Sequence, residues 1–126
     1  MVEVKEIERD FRDLQKDLLG ILLFGSRAEG ESHARSDTDV CLVAGERRPA
    51  EIMRKAWQRG LQEKYDCHVF EELPLYLQAQ VMEKGKIVWA QSKPELSYYF
   101  YFYRKLWDDQ RHRNAQTKQE LLAGIR

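Results

Sequence analysis

The chain has 126 residues, and its 21 Lys and Arg are balanced by 21 Asp and Glu, so its formal net charge at pH 7 is zero. This length suits one compact domain, and the zero net charge argues against the broad basic surface that long nucleic acids require. No apolar run approaches the roughly 18 residues that cross a bilayer, and no signal-peptide core follows Met1, so we expect a cytoplasmic protein.

The N-terminal segment has the pattern of an amphipathic helix. Apolar residues recur at every third or fourth position, at Val4, Ile7, Phe11, Leu14 and Leu18. We expect one helix through these residues, packed by its apolar side on a sheet.

A buried strand and a glycine turn are predicted next. The segment from Leu18 to Phe24 is apolar apart from Gly20, and Gly25 ends it. Gly25 permits a tight turn, and Ser26 offers its hydroxyl and nearby backbone N–H groups to an anion. These residues predict phosphate binding, and a simple helix cap at Ser26 is the alternative.

Two aspartates open the following strand. Alternate residues of a strand face the same side with Cα atoms roughly 6.5 Å apart, so Asp37 and Asp39 are expected to project together. The apolar residues Val40, Leu42 and Val43 continue the strand into the core. Two close carboxylates repel each other unless a cation neutralises them, and hard oxygen ligands suit Mg²⁺ or Mn²⁺. We interpret the pair as a metal site, with a solvated acidic loop as the alternative.

A second helix is predicted to begin at Pro49, with Ile52, Ala56 and Trp57 on its buried side. Cys41 and Cys67 fall within predicted strands and lack the local spacing of a metal-binding pair. We interpret both as buried free thiols.

The glycine turn and the paired aspartates together resemble the motifs of the DNA polymerase β superfamily of nucleotidyltransferases. The matching residues are 25–28, Gly30 and 36–40, and the likeness extends from about residue 14 to 90. It is strongest to the minimal nucleotidyltransferases, small prokaryotic proteins commonly paired with a HEPN-domain partner. The expected fold is therefore α/β (α+β), a small mixed sheet flanked by helices.

This resemblance implies a third carboxylate on a later strand. Asp66 is the first candidate, and Glu71 and Glu72, expected at the far end of the same strand, are the alternatives. Alternation along the strand places His68 on the face of Asp66, where it is able to orient that carboxylate. We nevertheless leave all the histidines outside the chemistry: His68, His33 in the loop between the motifs, and His112 in a charged run.

The resemblance also implies a mechanism in which two Mg²⁺ ions, or Mn²⁺, act on ATP. The catalytic and metal-binding residues would be Asp37, Asp39 and Asp66, and the nucleotide-binding residues Gly25, Ser26 and Arg27. Arg27 would face the leaving pyrophosphate or pair with a neighbouring glutamate. In-line attack of a hydroxyl on the α-phosphate would transfer AMP and release pyrophosphate.

The last part of the chain departs from the catalytic motifs. A helix is predicted to begin at Pro94-Glu95 and to carry an unbroken aromatic run, residues 98–103, followed by Leu106-Trp107. Aromatic side chains all around a helix leave an exposed apolar patch unless another chain covers it. We therefore predict a catalytic domain over residues 1–93 and an interface helix in residues 94–126. The alternative is a helix packed within its own fold, with tyrosine hydroxyls reaching water.

The acceptor is expected to belong to a partner, because a chain this short has no evident second domain to hold one. In the resembled family, members act as antitoxins that transfer AMP to a tyrosine of a HEPN ribonuclease toxin, and this is the leading hypothesis. One alternative is adenylylation of a small molecule such as an antibiotic by a homodimer. The other is a non-catalytic module that silences its partner by binding alone.

Overall fold

The computed structural model describes residues 4–25 and 38–124, which form a four-stranded sheet with helices on both faces. The helices and strands are α1 (Val4–Asp10), β1 (Gly20–Phe24), β2 (Thr38–Val43), α2 (Pro49–Gln58), β3 (Tyr65–Val69), α3 (Leu75–Lys84), β4 (Lys86–Ala90) and α4 (Lys93–Gly124). Short 3₁₀ segments lie at Arg12–Asp17, Leu61–Glu63 and Phe70–Glu72.

The sheet is mixed and has the strand order β3-β2-β1-β4. Strand β1 pairs antiparallel with β2 and β4, whereas β2 pairs parallel with β3. The end of β1 therefore lies beside the start of β2, and the start of β2 beside the start of β3. We call this side of the sheet, marked by Phe24, Asp39 and Asp66, the site end. The predicted α/β fold with a small mixed sheet is confirmed.

Alternation along β2 builds two apolar layers. Val40 and Leu42 join a core with α1 and α2, whereas Cys41 and Val43 point to the opposite face, towards α3 and α4. Asp39 precedes this apolar run, lies on the same face as Cys41 and Val43, and is partly exposed.

The N-terminal apolar face is formed as predicted, but by two kinds of helix. Helix α1 ends at Asp10, and a 3₁₀ segment continues from Arg12 to Asp17. Ile7, Phe11 and Leu14 are nevertheless all buried in the same core. The tighter turn keeps these side chains on the sheet, whereas the sequence predicted one continuous helix.

The prediction that Trp57 is buried is wrong. Its side chain is 69% exposed, while Ile52 and Ala56 form the buried face of α2. Successive helical residues are rotated by about 100°, so the residue after Ala56 turns away from the sheet.

Strand β3 ends at Val69, earlier than the sequence predicted, so Glu71 lies in the 3₁₀ turn that follows and not on the strand. Its carboxylate accepts hydrogen bonds from the backbone N–H groups of Ala44 and Gly45, both at 2.9 Å. The Tyr99 hydroxyl donates to the same carboxylate at 2.6 Å. Glu71 therefore joins the end of β2 to α4, at the end of the sheet away from Asp39.

Replacing Tyr99 by Phe is expected to lower the free energy of unfolding by about 1–2 kcal/mol, because the partly buried Glu71 carboxylate loses the hydrogen bond from the Tyr99 hydroxyl. Tyr98→Phe is the matched control, since the Tyr98 side chain is 66% exposed and its loss of a hydroxyl should be neutral. Urea unfolding of the two variants measures the difference. Equal stabilities would show that the bond from Tyr99 contributes nothing.

Helix α4 runs without interruption from Lys93 to Gly124, so the polar segment after Trp107 continues the helix. Leu96 and Phe100 are buried against Phe70 and α3. Within residues 4–25 and 38–124, no helix combines the length and the apolar character needed to span a membrane.

Candidate active site

Two carboxylates face each other across the parallel strands at the site end. Asp39 of β2 lies in register with Asp66 of β3, and Asp39 is also the partner of Phe24 in β1. Side chains at paired positions of neighbouring strands point to the same face, so the register itself brings the two acids together. Asp39 is 28% exposed and Asp66 51% exposed, which leaves both accessible to a ligand.

His68 joins these carboxylates, although the sequence analysis left it outside the chemistry. Its Nε2 atom lies 3.2 Å from Asp66 Oδ2 and 3.7 Å from Asp39 Oδ1. The ring packs edge to face with Phe24 at a centroid distance of 5.3 Å. The signal in the sequence was the spacing from Asp66, because residues two apart on a strand share a face.

The surroundings of Asp39 oppose a negative charge on its carboxyl group. Burial raises the pKa of this carboxyl group, and the neighbouring Asp66 raises it further, whereas His68 acts in the opposite direction. A cation between the acids would remove this repulsion. One donor atom from each of Asp39, Asp66 and His68 fits within a cluster whose atoms are all less than 4.8 Å apart. The donors present therefore fit a divalent cation.

Gly25 places the turn after β1 directly against this cluster. Its φ is +78°, and a Cβ atom at this position would lie 2.6 Å from Asp39 Oδ2. A side chain here is excluded both by backbone conformation and by space. The glycine of the predicted phosphate turn thus allows the backbone to approach the carboxylate closely.

The described residues bring together Gly25, Asp39 and Asp66 of the predicted site. Asp37, Ser26 and Arg27 lie outside the described residues, and so does His33. Of the alternatives for the third carboxylate, Glu71 is bonded at the opposite end of the sheet. Glu72 follows it in an exposed position of the same 3₁₀ turn.

Both cysteines are free and buried, which confirms the prediction for Cys41 and Cys67. Burial raises the pKa of both thiols, that of Cys67 to about 12, with the charge of Asp66 adding to the effect. Protonated thiols are weak nucleophiles and poor metal ligands. The cysteines therefore contribute packing to the strands that carry the acids.

Comparison with known proteins defines the class of enzyme. The family model for Polymerase beta nucleotidyltransferases matches residues 5–94. The chain belongs to this family and is a nucleotidyltransferase.

A related Methanocaldococcus jannaschii protein is named "Putative protein adenylyltransferase MJ1547". It is 42% identical over 102 residues, which cover 80% of this chain and 79% of the relative.

Solved structures share the fold at lower identity. A toxin-antitoxin complex with AMP-PNP contains a chain that superposes with a TM-score of 0.72 at 20% identity, covering 96% of this chain and 99% of that one. A complex of a tri-AMPylated Shewanella oneidensis HEPN toxin with an MNT antitoxin gives a TM-score of 0.64 at 18% identity, covering 94% and 95%.

Replacing Gly25 by Ala is expected to lower the rate of nucleotidyl transfer by about 100-fold, because the added Cβ displaces the Asp39 carboxylate. Gly60→Ala is the matched control: Gly60 has a similar φ of +68°, but a Cβ added there would meet no atom within 4 Å. Both glycines have a positive φ, so the control reproduces the strain of a Cβ atom at such a position, whereas only Gly25 lies in the turn beside Asp39. Equal transfer rates would contradict the expectation.

Proposed function

We propose that this nucleotidyltransferase transfers AMP from ATP to a tyrosine hydroxyl of a HEPN ribonuclease toxin and so acts as its antitoxin in the cytoplasm. The proposal is carried by the 42% sequence identity between this chain and the Methanocaldococcus jannaschii relative, which extends over most of both chains. The described acids, Asp39 and Asp66, supply the chemistry that such a transfer needs.

Asp39 and Asp66 would hold divalent metal, with Asp37 as a further ligand, and we propose two Mg²⁺ ions. When bound, the metal neutralises charge on the attacking and leaving oxygens and on the phosphates. Asp66 is the more exposed of the two described acids, so it is the better placed to orient an incoming hydroxyl group and receive its proton.

The turn at Gly25 would hold the phosphates of ATP, with Ser26 and Arg27 as further binding residues. Its close approach to Asp39 brings the phosphate turn and the metal-binding carboxylate into one place. Most of the catalysis would then come from positioning and charge neutralisation.

We propose that residues 94–126 form a helical extension by which the catalytic domain, residues 1–93, contacts its partner. Tyr98, Phe102 and Leu106 lie four residues apart on α4 and are 66%, 50% and 52% exposed. This stripe, which we call the aromatic stripe, faces away from the buried Phe100. An exposed apolar stripe of this kind is typical of a protein interface.

The direct test is to incubate the purified protein with ATP, Mg²⁺ and a HEPN protein encoded beside it, and to measure the intact mass of both chains. One or more AMP additions on a tyrosine of the HEPN protein are expected. Neutralisation of the toxin without any added mass would favour the binding-only module. AMP transfer to an antibiotic by a homodimer would favour the small-molecule alternative.

A further inference from the structure

An imidazole nitrogen stands beside the two described acids. His68 is one third exposed, and its Nε2 atom is the part of the ring within 3.7 Å of both carboxylates. The cluster is thus a mixed oxygen and nitrogen donor set.

We propose that His68 binds the metal ion directly through Nε2 and thereby shifts the preference of the site from Mg²⁺ towards Mn²⁺. The inference deepens the proposed function, on which it rests for the role of the metal.

The distances between the donor atoms are close to those of neighbouring ligands on one ion. Two donors that each lie about 2.1 Å from a metal in adjacent octahedral positions are separated by about 3 Å. Nε2 is 3.2 Å from Asp66 Oδ2 and 3.7 Å from Asp39 Oδ1, so small side-chain rotations bring all three atoms onto one cation. Asp66 and His68 share a face of β3, and Asp39 is held in register beside them.

The ring of His68 is also held in place before any metal arrives. Phe24 packs against it with an interplanar angle of 74°, and β3 fixes its backbone beside Cys41 of β2. A ligand positioned in advance loses less conformational freedom on binding.

Ligand chemistry gives the expected selectivity. Mg²⁺ prefers oxygen donors and water, whereas the affinity for nitrogen ligands rises along the first transition row, in which Mn²⁺ is the weakest binder. Replacing one water or carboxylate by imidazole therefore favours Mn²⁺ over Mg²⁺. A site made of carboxylates alone would show a smaller bias.

The competing role for His68 is that of a positioning residue that only hydrogen-bonds to Asp66. In that role the imidazole stays off the metal, and its removal weakens Mn²⁺ and Mg²⁺ to a similar extent. The two roles therefore differ in the spectrum of the bound ion and in the ratio of the two affinities.

The test uses Mn²⁺ as the probe, with electron paramagnetic resonance of the full chain in the absence of ATP. Pulsed measurements should detect ¹⁴N coupling from a directly bound imidazole in the wild type. The signal should change on ¹⁵N-histidine labelling, which needs no variant. His68→Gln should lose the coupling, while the matched control His112→Gln, altered at an exposed histidine of α4, should keep it.

Titration should show that His68→Gln raises the Kd for Mn²⁺ by about 10-fold or more, and the Kd for Mg²⁺, measured by displacement, by much less. Absence of ¹⁴N coupling in the wild type, its persistence in His68→Gln, or equal weakening of both metals would overturn the inference. AMP transfer is measured separately. Transfer without nitrogen coupling would overturn only the role of His68, whereas coupling without transfer would overturn only the proposed function.

Discussion

Replacing Asp39 by Asn is expected to lower AMP transfer by at least about 10³-fold while leaving the fold and the affinity for the partner nearly unchanged. The amide keeps the shape of the side chain but removes the charge that a divalent cation and the phosphates require. Asp39 lies in register with Asp66 and beside Gly25, so no other described carboxylate occupies its place.

Intact mass of the partner measures the transfer, and calorimetric titration measures the complex. Glu72→Gln is the matched control, because it removes an exposed carboxylate near the end of β3 without touching the cluster. Full neutralisation of a HEPN toxin by the Asp39→Asn protein would contradict the enzymatic antitoxin and support binding alone.

The same substitution is expected to stabilise the metal-free protein. Burial and the facing Asp66 raise the pKa of Asp39 in the folded chain. A carboxyl group with a raised folded pKa contributes stability below its unfolded pKa and loses it as pH rises through the folded value. At pH 7.5 in a chelator, Asp39→Asn should therefore raise Tm by about 2–5 °C, and the gain should shrink as pH falls towards ~4. A variant less stable than the wild type at pH 7.5 would contradict this.

Replacing Phe102 by Glu is expected to weaken the complex with the partner by about 30-fold or more, which corresponds to at least about 2 kcal/mol. Phe102 lies at the centre of the aromatic stripe, between Tyr98 and Leu106, and its ring contacts that of Tyr98 at 5.1 Å. A carboxylate in the middle of an apolar contact would lose its water without gaining a hydrogen bond or an ion pair.

The matched control for Phe102→Glu is Trp57→Glu. Trp57 is also an exposed aromatic side chain, 69% accessible, but it lies on α2 rather than α4. Both variants should retain the Tm of the wild type. Calorimetric titration measures the affinity for the partner, and sedimentation of the protein alone measures whether it forms a homodimer. Unchanged affinity and unchanged self-association in Phe102→Glu would overturn the role of the aromatic stripe.

Tyr99 was expected from the sequence to share the interface, and the structure assigns it another role. Its ring contacts Phe70, and its hydroxyl donates to Glu71 inside the fold. The unbroken aromatic run did not distinguish the two sides of α4. Only the docking of Leu96 and Phe100 on α3 and Phe70 decides which aromatic residues remain outside.

The local sequence pattern was sufficient to predict those features that depend only on residues close together along the chain. The apolar strands around Asp39, the alternation that exposes Asp66 and His68, and the turn at Gly25 all follow from strand periodicity and glycine geometry. The fold class was therefore predictable. The resemblance to the nucleotidyltransferases, rather than the local pattern, implied that the glycine turn and Asp39 share a site and that Asp66 is the first candidate for the third carboxylate.

Contacts between distant residues were decided by tertiary structure alone. The parallel register of β2 and β3 brings His68 within 3.7 Å of Asp39, and the 3₁₀ turn after β3 directs Glu71 to Ala44 and Gly45. Strand register and helix docking depend on packing over the whole core, because each long-range contact forms only in an arrangement that satisfies the others as well. The sequence thus indicated Asp39 and Asp66 and the strands that carry them, whereas the tertiary structure placed the imidazole of His68 beside both carboxylates.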